Sequence, residues 1–333
     1  MKQYTHAWLA LKAVQLLKGF KGQFSPQRNE HLARFLGFIG AYPSTFVRGA
    51  WFPDTVIADN LQGGHTWKYY LDPDDGRKEK RRPPDHNRCL EIVAGDLGQK
   101  ISLNTRISDL PDRCEALGMA IRDMSLITNK VPSGDVVVFN DSQVALFFLM
   151  LAHYVCDAHV PVHCDSRDLN DPSKVHNDLE AFWESEVKKY YRRSTDGNHF
   201  DLSENQELQR DETEPGWDGS ILCRAEELLD ESDWGEMDID DDEWRAFLGS
   251  KNNNFWDYLV GVCVVSFHMS LELFPLEPDD DVDYDTLRIM DTSPFKERVV
   301  ENSPLILADA VNSVALLWLA TWERWELLAK VAP

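Results

Sequence analysis

The sequence predicts an all-α protein, a single-domain multi-helix bundle covering residues 1–333. Three observations carry that expectation. Val144 to Ala152 is almost wholly apolar and contains neither Gly nor Pro. The segments from Asn254 to Leu273 and from Pro304 to Val331 are strongly apolar and long enough for core helices. After Thr5, apolar side chains recur at helical spacing, so one face of that segment is made for burial. With 333 residues, 43% of them hydrophobic, the chain can build one large core. No internal repeat or separable domain stands out.

Taken in order, the first helix is expected to open on Thr5 as its cap, with His6 in the first turn. A second helix is expected within 27–48, ending before Pro43 and carrying His31 on its surface. Residues 71–88 are polar and read as a solvated loop near a cleft mouth. Their basic cluster, Arg77 to Arg82, is either no more than that or a lip that steers phosphate. Residues 89–130 are expected to carry one or two helices, from Cys89 to Lys100 and from Asp112 to Asn129, separated by Pro111. Residues 194–246 form an acidic insertion, but Trp217, Trp234 and Trp244 argue against disorder, since disordered acidic tracts are poor in aromatics. Whether the insertion covers a site, binds a protein partner or packs outside stays open. His268 sits on an apolar face and is expected in the core.

Charge narrows the partners. With 57 acidic against 34 basic residues the formal charge is −23, so long-range attraction to nucleic acid or anionic membranes is not expected. An anionic substrate is still compatible, because bound metal ions supply local positive charge. The segment Met-Lys-Gln-Tyr-Thr-His lacks the pattern of a signal peptide, and no run of about 18 uninterrupted apolar residues suggests a membrane span. The six cysteines show no CxxC spacing, which suits free thiols in a reducing cytoplasm. Cys156 and Cys164 read as structural.

The chemistry concentrates in residues 143–184. The apolar helix ends on His153 and Asp157, an i,i+4 pair that shares one face. Pro161 breaks the helix, and the chain re-aims to deliver His163. After a short polar loop a second i,i+4 pair, His176 and Glu180, opens another helix. A lone His on an apolar face is more often a core residue. Two such pairs within 28 residues, joined by a third His, are what a polynuclear zinc site requires, because zinc takes imidazole nitrogen and carboxylate oxygen.

These residues resemble the zinc-dependent phospholipases C and the single-strand-specific zinc nucleases. Both families carry His-x-x-x-Asp-x-x-x-Pro-x-His followed by His-x-x-x-(Glu or Asp), matched here by His153, Asp157, Pro161, His163, His176 and Glu180. The resemblance implies an upstream Asp and His, and Asp54 in Gly49-Ala-Trp-Phe-Pro-Asp54 and His65 in Gly63-Gly-His65 fill those places. It also implies that the amino terminus and a nearby His bind an ion, here Met1 and His6, with Met1 retained because Lys2 is bulky. The ligand set it implies for two or three zinc ions is Asp54, His65, His153 and Asp157 on one, His163, His176 and Glu180 on a second, and His6, Asp157 and Met1 on a third. Gly63 and Gly64 would allow close backbone approach.

The implied activity is hydrolysis of a phosphoester by a zinc-bound hydroxide, with Asp54 as ligand and as the group that orients or deprotonates the attacking water. Glu180, where an Asp is the alternative, leans towards the phospholipase C branch. Thr55 stands where choline-preferring members have an aromatic residue, however, and Trp51 looks more like the nucleases. Thr66 and Lys68 depart from the nuclease pattern, while Trp67, Tyr69 and Tyr70 could stack on a base. The substrate is therefore a phospholipid headgroup, a single-stranded nucleic acid, or a nucleotide or other small phosphoester. A different class also fits: a non-catalytic binding protein with a structural zinc site, in which the acidic insertion does the binding.

Overall fold

The computed structural model describes residues 1–42, 48–57, 71–72, 75–79, 110–130, 139–165, 169, 175–194, 200–203, 207–231, 254–275, 287–291 and 294–330, and most of these are helical. In chain order the helices are α1 (Gln3–Gly19), α2 (Pro26–Gly40), α3 (Leu110–Lys130), α4 (Asp141–Ala158), α5 (Pro161–Cys164), α6 (Val175–Tyr190), α7 (Ile221–Asp230), α8 (Asn254–Leu273) and α9 (Phe295–Lys330). Extended pairing among the described residues is slight. A short antiparallel ribbon joins Leu71–Asp72 to Asp75–Glu79, where a loop is expected. Single bridges tie Tyr191 to Arg210, Arg193 to Phe200 and Leu202 to Leu208.

Helix α9 is the axis. Its 36 residues span about 54 Å, and α1, α2, α3, α4 and α7 pack along it. Trp8, Trp183, Trp318, Tyr154, Phe35 and Phe148 are fully buried there. Two of the indoles find acceptors in the core: Trp318 Nε1 donates to the Phe148 carbonyl and Trp183 Nε1 to Ser303 Oγ, both at 2.7 Å. The stretch Phe295–Arg324 is long and apolar enough to cross a membrane, although charged residues interrupt its apolar run in the sequence. Its most apolar window is 78% buried within the protein, as the core helix of a bundle would be.

Pro304 lies inside α9 rather than at its start. Proline removes the amide that would bond the carbonyl four residues earlier, which is that of Val300. The Arg224 guanidinium of α7 donates to this carbonyl at 2.7 Å, so the helix runs through. Arg224→Met should therefore lower the unfolding free energy by about 1–3 kcal/mol, the cost of an unmet buried acceptor. Denaturant titration checks this, and an unchanged midpoint would mean that the carbonyl does not need the guanidinium.

Local signals set the helix starts, with some corrections. Asn140 and Gln143 form a capping box at the start of α4, and Ser25 caps α2. Thr5 is not a cap: α1 begins at Gln3, and Thr5 lies within its first turn. His31 is buried at 3% exposure, not on the surface, with Arg34 beside its ring at 3.4 Å. His268 is exposed rather than in the core. In the acidic insertion, Trp217 packs edge-on against Tyr190 and Tyr191 of the α6 end; Trp234 and Trp244 lie outside the described residues, as do Cys89 to Lys100.

A polar link crosses the bundle just beyond α4. His159 Nε2 lies 2.9 Å from Ser313 Oγ, which lies 2.8 Å from Tyr258 Oη. Burial pulls the His159 pKa down to about 3 from its ordinary 6.5. The folded protein thus keeps the ring neutral where the unfolded chain protonates it. Stability from this group is present above 6.5 and is lost as pH falls from there towards 3. At about pH 5 the full linkage is about 2 kcal/mol, and about half is expected because the ring keeps some contact with solvent. Denaturant melts at about pH 7 and 5 should show a smaller acid loss for His159→Gln than for the unsubstituted protein.

Candidate metal centre

Five elements from three separate parts of the sequence supply the site. The last two turns of α4 carry His153 and Asp157, both buried on one face. After the turn at His159 and Val160, Pro161 opens the short α5 and His163 follows within it. Helix α6 brings His176 and Glu180. Helix α1 brings His6, and a π-helical turn over Pro53–Ile57 brings Asp54. Such turns are uncommon and often occur at functional sites.

These side chains meet in two groups. In the first, donor atoms of His6, Asp54 and His153 lie within 4.8 Å of one another; in the second, those of His163, His176 and Glu180 do so. Asp157 stands between them. Its Oδ2 is 3.2 Å from His153 Nε2, and its Oδ1 is 3.5 Å from His6 Nε2 and 3.7 Å from His163 Nδ1. The Met1 nitrogen enters the same space, 2.9 Å from Asp157 Oδ1 and 2.7 Å from Glu180 Oε1. His6 thus groups with Asp54 and His153, whereas the resemblance implies a separate ion for it; the His6 and His153 rings stack at 4.1 Å. His65 lies outside the described residues.

The backbone around His153 decides which of its nitrogens faces the cluster. The Ala50 carbonyl accepts from His153 Nδ1 at 2.7 Å, which leaves Nε2 pointing at Asp54 and Asp157. Such an outer hydrogen bond fixes ring orientation and raises the basicity of a metal-binding imidazole. Ala50 comes this close because Gly49 has no side chain. A Cβ at position 49 would lie 2.9 Å from Leu149 Cδ1 and 3.0 Å from its Cβ.

The electrostatics explain why the cluster suits cations. Burial alone would lower the Met1 ammonium, but Asp157, Glu180 and Asp54 outweigh it and hold its pKa at about 11. For His153 burial again opposes charge, and Asp157 and Asp54 override it to give about 10. Burial would raise Asp157 and Glu180, yet the Met1 ammonium and the histidines hold both well below the carboxylate range. Asp54 is lowered against its own burial, chiefly by His153. Burial drives His163 down to about 3 and keeps it neutral. It does the same for His6, helped by the neighbouring His153 and Met1 charges. Three carboxylates therefore face two cations, a shortage of positive charge in a buried place.

No family model, curated protein or solved structure matches this chain. The case for a metal rests on the residues themselves. Both His6 ring nitrogens are buried without a hydrogen-bond partner, and an unmet buried polar atom costs about 1–3 kcal/mol. Neutral imidazoles, carboxylates and a net negative site are the donor set of a divalent cation. Two groups can each hold an ion, with Asp157 shared. Met1, Asp54, Asp157, His163, His176 and Glu180 line a cleft of about 580 Å³, together with Lys2, Trp51, Thr55, Asn177 and Lys188. Among the proposed ligands, Asp54 and His176 are the most open to it, at 22% and 21% exposure.

Sequence spacing alone points to His153, Asp157, His163, His176 and Glu180. It gives no sign of the Ala50 carbonyl or of Gly49 as a contact point. A signal existed only in the motif residue preceding the Ala, and its reason needed the position of Leu149.

Proposed function

We propose that the protein is a zinc-dependent phosphoester hydrolase with a polynuclear centre, related in architecture to the zinc phospholipases C and zinc nucleases. The observation that carries this reading is the meeting of two His/carboxylate groups on Asp157 at the floor of an open cleft. Zinc bound in such a place lowers the pKa of a water ligand towards neutrality and offsets the charge that develops on a phosphoryl group. His163, His176 and Glu180 would hold one ion, and His6, Asp54 and His153 another. Asp157 would be shared, with the Met1 nitrogen as a further donor.

The chain's own residues divide the remaining roles. Asp54 is the general base in this proposal: it is ionised, it reaches the cleft, and it accepts a proton from the attacking water. Lys2 and Lys188 stand on the cleft wall of an otherwise acidic protein and favour an anionic substrate. The exposed apolar side chains of Val56 and Ile57 come two and three residues after Asp54, which favours a lipid-facing rim and a phospholipase C-like substrate. Trp51 on the cleft wall supports a second reading, in which a nucleotide or single-stranded nucleic acid stacks there.

Elemental analysis of the purified protein, with turnover of bis-p-nitrophenyl phosphate, tests the proposal. Two or three zinc ions per chain with metal-dependent turnover is the expected result. Less than one ion per chain and no turnover would sink it. Short-chain phospholipids compared with single-stranded oligonucleotides then separate the two substrate readings.

A further inference from the structure

Helix α1 begins without help from its own sequence. The Lys2 side chain at its N-cap makes no capping hydrogen bond, and no acidic residue lies in the first turn. The opening amides of a helix have no acceptor within it, and the positive end of its dipole favours a nearby anion. At α1 this end is buried: Tyr4, Thr5 and His6 are all within the core.

Glu184, one turn beyond Glu180 on α6, supplies what is missing. Its Oε2 accepts from the Tyr4 amide at 3.0 Å, the Thr5 amide at 3.0 Å and the Thr5 hydroxyl at 3.2 Å. Glu184 is only 7% exposed, and its other oxygen takes Lys188 Nζ at 2.8 Å. The same turn of α1 is held from outside as well. Lys188 Nζ stands 5.1 Å from the Tyr4 ring centre, and Phe200 meets that ring edge-on at 5.2 Å.

We infer that Glu184 is a positioning residue for the metal centre: by capping α1 from across the fold, it sets His6 at the distance from His153 and Asp157 that the first ion group needs. The inference rests on the metal-centre reading above. One face of α6 then carries two ligands and, a turn later, the anchor for a third ligand on another helix. The carboxylate touches no reacting atom and acts through the Tyr4 and Thr5 amides, the two residues before His6.

Hydrogen exchange and metal titration together test this. In metal-free protein, Glu184→Ala should speed exchange of the Tyr4 and Thr5 amides at least about tenfold, with exchange along the rest of α6 unchanged. With metal restored, the same variant should bind one ion about 10- to 100-fold more weakly, the usual effect of losing an outer partner. Glu184→Gln keeps one acceptor oxygen, should fold, and should fall between. Adding Lys2→Ser to Glu184→Ala gives α1 a cap of its own; it should restore amide protection but not the ion. Unchanged exchange in Glu184→Ala or Glu184→Gln would overturn the anchor. Recovery of the ion by Lys2→Ser would reduce Glu184 to a helix cap and overturn its positioning role. Loss of the metal reading itself would look different: the unsubstituted protein would bind no ion, while the exchange contrast would remain.

Discussion

Asp157→Ala should bind at least one metal ion fewer per chain and lose phosphodiester turnover by about 1000-fold or more. The magnitude follows from several kcal/mol of charge stabilisation that a metal centre contributes, at about 1.4 kcal/mol per factor of ten. Among the described residues Asp157 is the one carboxylate within reach of both ion groups, so no described neighbour replaces it. Stability should also drop without metal, because the Met1 ammonium and the His153 cation lose their shared partner. Breaking a buried pair costs about 3–5 kcal/mol, and the lower figure is expected because Glu180 and Asp54 each retain one contact. Asp157→Asn keeps the shape and separates lost charge from lost packing. Full metal content and turnover in Asp157→Ala would remove Asp157 from the centre.

Gly49→Val should disable the centre without touching any proposed ligand. Added carbons at position 49 run into Leu149, whose Cβ belongs to the backbone-fixed part of α4 and cannot swing aside. The segment must retreat, and the Ala50 carbonyl leaves His153 Nδ1. Overpacking of this kind costs about 1–3 kcal/mol. Loss of the outer hydrogen bond weakens metal binding by about 10- to 100-fold. A metal titration of the folded variant measures the second effect separately. Binding as tight as in the unsubstituted protein would show that the Ala50 contact does not orient the ring.

What the sequence discloses here is what a helix keeps local. His153 with Asp157 and His176 with Glu180 are legible because four residues make one turn, and Pro161 is legible because it must break or start a helix. The long apolar helices are legible for the same reason. Met1, His6 and Asp54 enter only through the resemblance, and the structure brings them to the same place as the helical pairs. Partners chosen by tertiary contact leave no local trace. Glu184 caps a helix some 180 residues away in sequence, Arg224 makes Pro304 tolerable, and burial of His31 and exposure of His268 depend on neighbours that the pattern does not name. Residues such as His65 belong to stretches outside the described residues.

The distance in sequence between His6 and Asp157 has a consequence for folding. Among the described residues every cysteine is a free thiol, so nothing covalent closes a loop there. An ion gripped by both residues would be a removable cross-link around about 150 residues. In chain-entropy terms a tie of that span restrains the unfolded chain by about 5 kcal/mol, as a disulfide would. Loading the centre would then act as the last stitch in the fold, and a chelator as its reductant.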